Sequence, residues 1–185
     1  MQHYFELLAS AQIDLYELDG VRAWRRITES WPALTRSLLL RVQFIRCLLL
    51  HLRGRSAIAA AMAAEPRGRR RLLAQARADA RSLERERVGY ADGMASLLRA
   101  GVASVSDARL AALASLRRAA AALDAAAMPL HAAAARRCEG LLLGGDAGAE
   151  RIRAADAAFA AEKVRNPARM TAMWLPGHFE PPPTD

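Results

Sequence analysis

Apolar residues recur at intervals of three and four through almost all of this chain, the spacing by which an α-helix keeps one side dry. The clearest run is Leu34, Leu38, Val42, Ile45, Leu49 and Leu52, which predicts one long helix from about Ala33 to Ala64. Alternating runs of β-branched and aromatic residues, from which strands are built, are missing. Aromatics make up only 5 % of the residues against a hydrophobic fraction of 53 %, so alanine and leucine must carry the burial. Alanine loses no side-chain entropy in a helix and lets neighbouring helices pack closely. The reading is an all-α fold, and 185 residues suffice for one domain with a sizeable core.

Turn and cap residues divide the chain into successive helices. The first runs from about His3 to Leu18 and is closed by Asp19-Gly20; a short second one covers Val21 to Ser30. Trp31-Pro32 is expected to turn the chain into the long third helix. That helix should kink at Gly54, since an interior glycine costs about 1 kcal/mol relative to alanine. After Glu65-Pro66-Arg67-Gly68, a fourth helix spans Arg69 to Arg87, and a fifth carries Met94, Leu97 and Leu98. Ser106 is expected to cap a sixth, Pro129 to open a seventh reaching Leu142, and Asp146 to cap an eighth after a Gly144-Gly145 turn. Asn166-Pro167 repeats the cap-then-proline signal before a last short helix. Residues 1–175 read as one domain of helical hairpins, and residues 176–185, with three consecutive prolines, as a disordered tail.

Short turns between helices predict stacked antiparallel hairpins, a tetratricopeptide-like α-solenoid fragment. Ala11, Ala23 and Ile27 fall at the small, small and bulky offsets of that repeat, and Ala100, Ala112 and Leu116 fall at the same offsets. The Trp-x-x-Leu-Gly block of the full repeat is absent.

The formal net charge is +8, and Lys163 is the sole lysine, so the positive charge is almost all arginine. Nucleic-acid modules generally mix lysine with arginine and interleave aromatics for stacking. A basic helical nucleic-acid-binding domain is therefore the alternative rather than the leading reading. The densest basic feature is Arg67, Arg69, Arg70 and Arg71, continued by Arg77, Arg81 and Arg85. Its plainer reading is a solvated helix face. Its functional reading is a docking strip in which Arg67, Arg69, Arg70, Arg77, Arg81 and Arg85 meet an acidic protein or peptide.

Catalytic and metal-binding patterns are not found. His3, His51, His131 and His178 lie far apart, and none has a second ligand three or four residues away. Cys47 and Cys138 form no Cys-x-x-Cys pair and are expected to be structural thiols in a reducing compartment. Glu84 and Glu86 are two apart on a helix and so point to different sides, which excludes a paired-carboxylate acid–base site. The expectation is a non-enzymatic chain with no metal and no cofactor. The most apolar stretch is interrupted by Arg41, Arg46, Arg53 and Arg55, which argues against a spanning helix. With no signal-peptide pattern at the start, the expected location is cytoplasmic.

Three segments near the end, Leu142-Leu143-Gly144-Gly145-Asp146, Arg165-Asn166-Pro167-Ala168-Arg169-Met170 and Leu175-Pro176-Gly177, carry a family likeness. Together with Ala11-Gln12-Ile13-Asp14-Leu15-Tyr16, Ala23-Trp24 and Trp31-Pro32-Ala33-Leu34, they resemble the C-terminal tetratricopeptide-like region of large myxobacterial-type serine/threonine protein kinases. The resemblance implies a scaffolding or sensory role in bacterial signal transduction. It does not imply kinase activity, because the Gly-rich loop, the His-Arg-Asp loop and the Asp-Phe-Gly triplet do not occur. The chain then reads as the end of a longer kinase or a stand-alone relative, with self-association or docking to an N-terminal domain as further partners. The first amphipathic helix lacks the polar outer face of a capping repeat.

Overall fold

Proline marks three helix starts. Pro66, Pro129 and Pro167 each occupy the first turn of a helix, where the missing N–H would have had no partner anyway. The computed structural model describes residues 2–180, and these form nine α-helices with no strand among them. They are α1 (Gln2–Tyr16), α2 (Gly20–Arg36), α3 (Gln43–Met62), α4 (Pro66–Glu84) and α5 (Gly89–Val105). There follow α6 (Arg109–Ala125), α7 (Pro129–Leu143), α8 (Gly145–Ala161) and α9 (Pro167–Trp174).

Several helices end through one backbone device. Leu18, Asp107, Ala127 and Lys163 take positive φ just past their helices. The following amides then reach back five residues, Ala108 to Ala103 and Met128 to Leu123 at 2.9 Å, Val164 to Phe159 at 3.0 Å. This reversal lets each helix pack against the next, from α1 on α2 through α7 on α8. The two alanine-offset triplets sit inside such pairs. Ala11, Ala23 and Ile27 are fully buried in one apolar cluster, and Ala100, Ala112 and Leu116 in another.

Contacts are not confined to sequence neighbours. α9 folds back against α1 and α7, and the Arg55 guanidinium of α3 donates to the Met173 carbonyl of α9 at 3.0 Å. In an open array each repeat touches only its neighbours; here the last helix closes onto the first.

The expected long third helix is two elements. α2 runs through Pro32 to Arg36, and a 3₁₀ turn over Leu38–Arg41 intervenes before α3 begins at Gln43. Ser37 is extended and its hydroxyl caps the turn, while Leu38 and Val42 are 68 % and 50 % exposed. Helical spacing of apolar residues did not entail burial at those two positions. The expected kink at Gly54 is replaced by an unbroken α3, because Gly54 lies against Leu98 of α5, which a Cβ would meet at 2.5 Å.

Two caps also differ. Ser106 ends α5 instead of starting α6, and Asp146 lies in the first turn of α8, whose cap is Gly144. Asn166 does cap α9, its side-chain oxygen accepting from the Arg169 amide at 3.0 Å. Part of the expected tail is packed: Pro176 and Phe179 are buried, Phe179 beside Leu175 in the α5–α7 cluster. Residues 181–185, with the three prolines, lie outside the described residues.

Candidate protein-docking groove

The inner side of α4 is fixed by Leu73, Ala76, Ala80 and Leu83, all buried against α3 and α5. On the same inner side Asp79 is completely buried. Arg53 of α3 donates to it, with Nε at 3.1 Å from Oδ2, and Gln75 adds a bond at 3.1 Å. The Arg53 guanidinium also lies 3.5 Å from the Trp31 ring centre, a cation–π contact. Burial pushes the Asp79 carboxyl upward, and Arg53 and Gln75 offset part of that rise. The carboxylate of α4 nearest its middle is thus consumed internally.

Its outer face is left basic. Arg67, Arg70, Arg77, Arg81 and Arg85 are exposed at steps of three or four residues or their multiples, which aligns them along one side. Arg71 is exposed beside them. Arg69 departs from the strip. It is half-buried and its Nε donates to the Ala61 carbonyl at 3.2 Å, tying α4 to the end of α3.

Among the described residues, no arginine of α4 is ion-paired to a carboxylate. Elsewhere the arginines are extensively matched, as Arg22 and Arg26 with Asp14, Arg46 with Glu86, and Arg117 and Arg151 with Glu139. Among the described residues, the side-chain partners of Arg77 and Arg85 are hydroxyls, Ser106 at 3.4 Å and Ser82 at 3.0 Å.

Arg77 also forms one wall of a groove of about 500 Å³ between α4 and α6. Val102 and Ala103 of α5 contribute to its floor, and Ala111, Ala114 and Arg118 of α6 to the far side. Arg99 of α5 reaches the same groove while holding Glu84 through two bonds at 2.5 and 2.7 Å. Those bonds hold the Glu84 carboxyl below its usual range. A smaller recess with Glu84 and Asp92 shares Arg99 and Arg118 with the groove, so its basic walls give way to acid at one end.

Arg99 and Arg118 escaped the sequence reading because they lie on different helices from the α4 run. Only the packing of α5 and α6 brings them to Arg77. The tryptophans are core anchors, since Trp24 and Trp31 are half-buried against the clusters on both sides of α3. Cys47 and Cys138 are free and buried, and burial raises both thiols. Glu84 and Glu86 serve different partners, Arg99 and Arg46, on different sides. His178 is exposed, whereas His51 is buried and His131 stacks on Trp174; the His3 side chain lies outside the described residues. Among the described residues, no three His, Cys, Asp or Glu side chains are grouped to hold a metal, and no helix is long and apolar enough to cross a membrane.

Comparison of the chain with protein-family models, with curated proteins and with solved structures finds no match.

Proposed function

We propose that this chain is a non-catalytic protein-interaction module that docks an acidic peptide or helix along α4 and into the groove between α4 and α6. The observation that carries the reading is the contrast in pairing. Interior carboxylates are matched to arginines, while the α4 strip keeps its charge for something outside the molecule. The groove floor of alanine and valine suits the apolar side of an amphipathic helix, and its arginine walls suit the carboxylates flanking that side. A tetratricopeptide-like scaffold in bacterial signal transduction, of the kind the kinase resemblance implies, is the setting we infer. Two buried free thiols fit a reducing, cytoplasmic one.

The unpaired strip also supports the nucleic-acid reading, which is therefore the second hypothesis. Against it stand the acidic end of the groove at Glu84 and Asp92 and the position of the exposed aromatics. Phe5 and Tyr16 lie on α1, which packs on α2, α3 and α9, and Phe44 is edge-on to Tyr90 at 6.1 Å.

The test is a titration of the full chain with a labelled glutamate-rich amphipathic peptide and with a labelled DNA duplex. The expected result is tighter peptide binding at physiological salt, weakened about tenfold or more when Arg70, Arg77 and Arg81 are changed to Glu. Duplex binding that is equally tight and falls steeply with salt would replace this reading with the nucleic-acid one.

A further inference from the structure

The segment joining α2 to α3 divides its apolar side chains between two sides. Leu39 and Leu40 of the 3₁₀ turn pack into the cluster that holds Tyr4, Leu7 and Leu34. Leu38, Val42 and Phe44 are left outside, at 68 %, 50 % and 58 % exposure. Three large apolar side chains exposed within residues 38–44 differ from the scattered single ones that an ordinary surface carries. They sit on a connecting turn and on the first turn of α3, with half or more of each open to solvent.

The charge around this patch has one sign. Arg36 and Arg41 lie on either side of Leu38 in the chain and are exposed, and among the described residues neither is ion-paired. The Gln43 side-chain amide donates to the Glu86 carbonyl at 3.0 Å, which sets the α4–α5 turn, with its exposed Arg87, against the start of α3. Phe44 meets Tyr90 of α5 edge-on at the same place, 6.1 Å between ring centres. The carboxylate at this contact, Glu86, is taken up by two bonds from Arg46, each at 2.6 Å. No Asp or Glu occurs between Glu29 and Glu65. The patch is therefore apolar with guanidinium groups at its edge.

That combination selects among partners. A second copy of this chain would set arginines against arginines across a two-fold axis. A purely apolar surface would leave the guanidinium groups without an anion. An anionic bilayer meets both requirements. Leucine, valine and phenylalanine enter the boundary of the acyl chains, while arginines extend their stems and keep their charge among the headgroups.

We propose that the α2–α3 turn is a membrane-surface contact, in which Leu38, Val42 and Phe44 insert shallowly into an anionic bilayer and Arg36, Arg41 and Arg87 hold its headgroups. The contact lies on the surface and needs no spanning helix. None of these residues lines the α4–α6 groove, so the inference does not rest on the acidic-peptide reading.

Flotation of the full chain with vesicles of phosphatidylcholine, alone or mixed with phosphatidylserine, tests the contact. The mixed vesicles should carry the chain, and the neutral ones should bind it at least about tenfold more weakly. Leu38→Ser with Phe44→Ser should weaken binding to the mixed vesicles about tenfold, and Arg36→Gln with Arg41→Gln by about as much. Arg153→Gln with Lys163→Gln removes the same charge from exposed positions on α8 and just past it, and should change binding by less than about twofold. A nitroxide carried by Val42→Cys, the two native thiols being buried, gives a second readout without touching the other patch residues. Mixed vesicles should raise its access to dissolved oxygen. No flotation with mixed vesicles, an equal loss in the Arg153 and Lys163 variant, or binding that ignores Leu38 and Phe44 would overturn the proposal. A glutamate-rich amphipathic peptide that lost its affinity in the Leu38 and Phe44 variant would also overturn it, and would move the peptide site from the α4–α6 groove to this turn.

Discussion

Gly140 on α7 and Gly148 on α8 meet backbone to backbone: a Cβ added to Gly140 would lie 2.7 Å from the Gly148 carbonyl oxygen, and one added to Gly148 would lie 2.5 Å from that of Gly140. Neither obstacle is a flexible side chain that could swing aside. α8 is held mainly through α7, with only a small contact to α9, so this approach governs how the helix docks. Gly140→Ala should therefore destabilise the protein by about 1–3 kcal/mol through overpacking. Urea unfolding measures it, and hydrogen exchange should show the protection loss concentrated in α8. An unchanged midpoint would mean that the two helices are not this close.

The turn after α6 offers a gain by the opposite route. Ala127 is exposed and holds φ at +55°, a conformation that burdens a residue with a Cβ. Ala127→Gly should raise stability by up to about 1 kcal/mol, the left-handed strain relieved less the added freedom of the unfolded chain. Thermal unfolding checks the direction, and a lower midpoint would show that entropy outweighs strain here.

Helix existence was legible because Leu73, Ala76, Ala80 and Leu83, or Leu116, Ala120 and Leu123, face the core at the spacing the sequence displays. Boundaries were less so. Ser106 fits a cap on either side of a turn, and the backbone chose the end of α5. Leu38 and Val42 continue the apolar spacing of α3 but remain exposed, while the 3₁₀ turn packs its Leu39 and Leu40 against the cluster of α1, α2 and α3 instead. Five of the six expected docking arginines lie on the outer face, because helical spacing alone sets which side they share. Arg99 and Arg118 were invisible, as was the Arg55–Met173 contact, because both depend on which helices become neighbours.

Two buried carboxylates should respond to acid in opposite senses. Burial pushes Asp14 upward, but hydrogen bonds from Arg26 and Arg22 outweigh it and hold the group below its ordinary value of 3.8. Its stabilising effect is complete above that pH and is lost as pH falls through the lowered folded value. Asp79 is raised by burial despite Arg53, so its effect is complete below 3.8 and is lost as pH rises through the raised folded value. Asp14→Asn should cost about 1–3 kcal/mol at neutral pH, with the difference from the parent shrinking toward pH 3. Asp79→Asn should cost least near neutral pH and progressively more as acid protonates the parent. Stability curves of the two variants across pH 3–7 that ran parallel would contradict the assignment of opposite shifts.

The α4–α6 groove makes its sharpest prediction through residues that carry no charge. Ala111 and Ala114 are exposed on α6 and line the groove opposite Arg77. Leucine at Ala114 would extend into the space a docked helix needs, while helix propensity is almost unaffected because alanine and leucine are both strong formers. An acidic amphipathic peptide should then bind about tenfold more weakly, with the slope of affinity against salt unchanged, since no ionic contact has been removed. Charge reversal at Arg77 and Arg118 should weaken binding too, but with a shallower salt slope, because fewer ion pairs form in the complex. A ligand held by the arginines alone would respond to the charge reversal and ignore leucine at Ala114. That pattern would leave the strip as a basic surface without a groove function, and a duplex that followed it would become the better candidate partner.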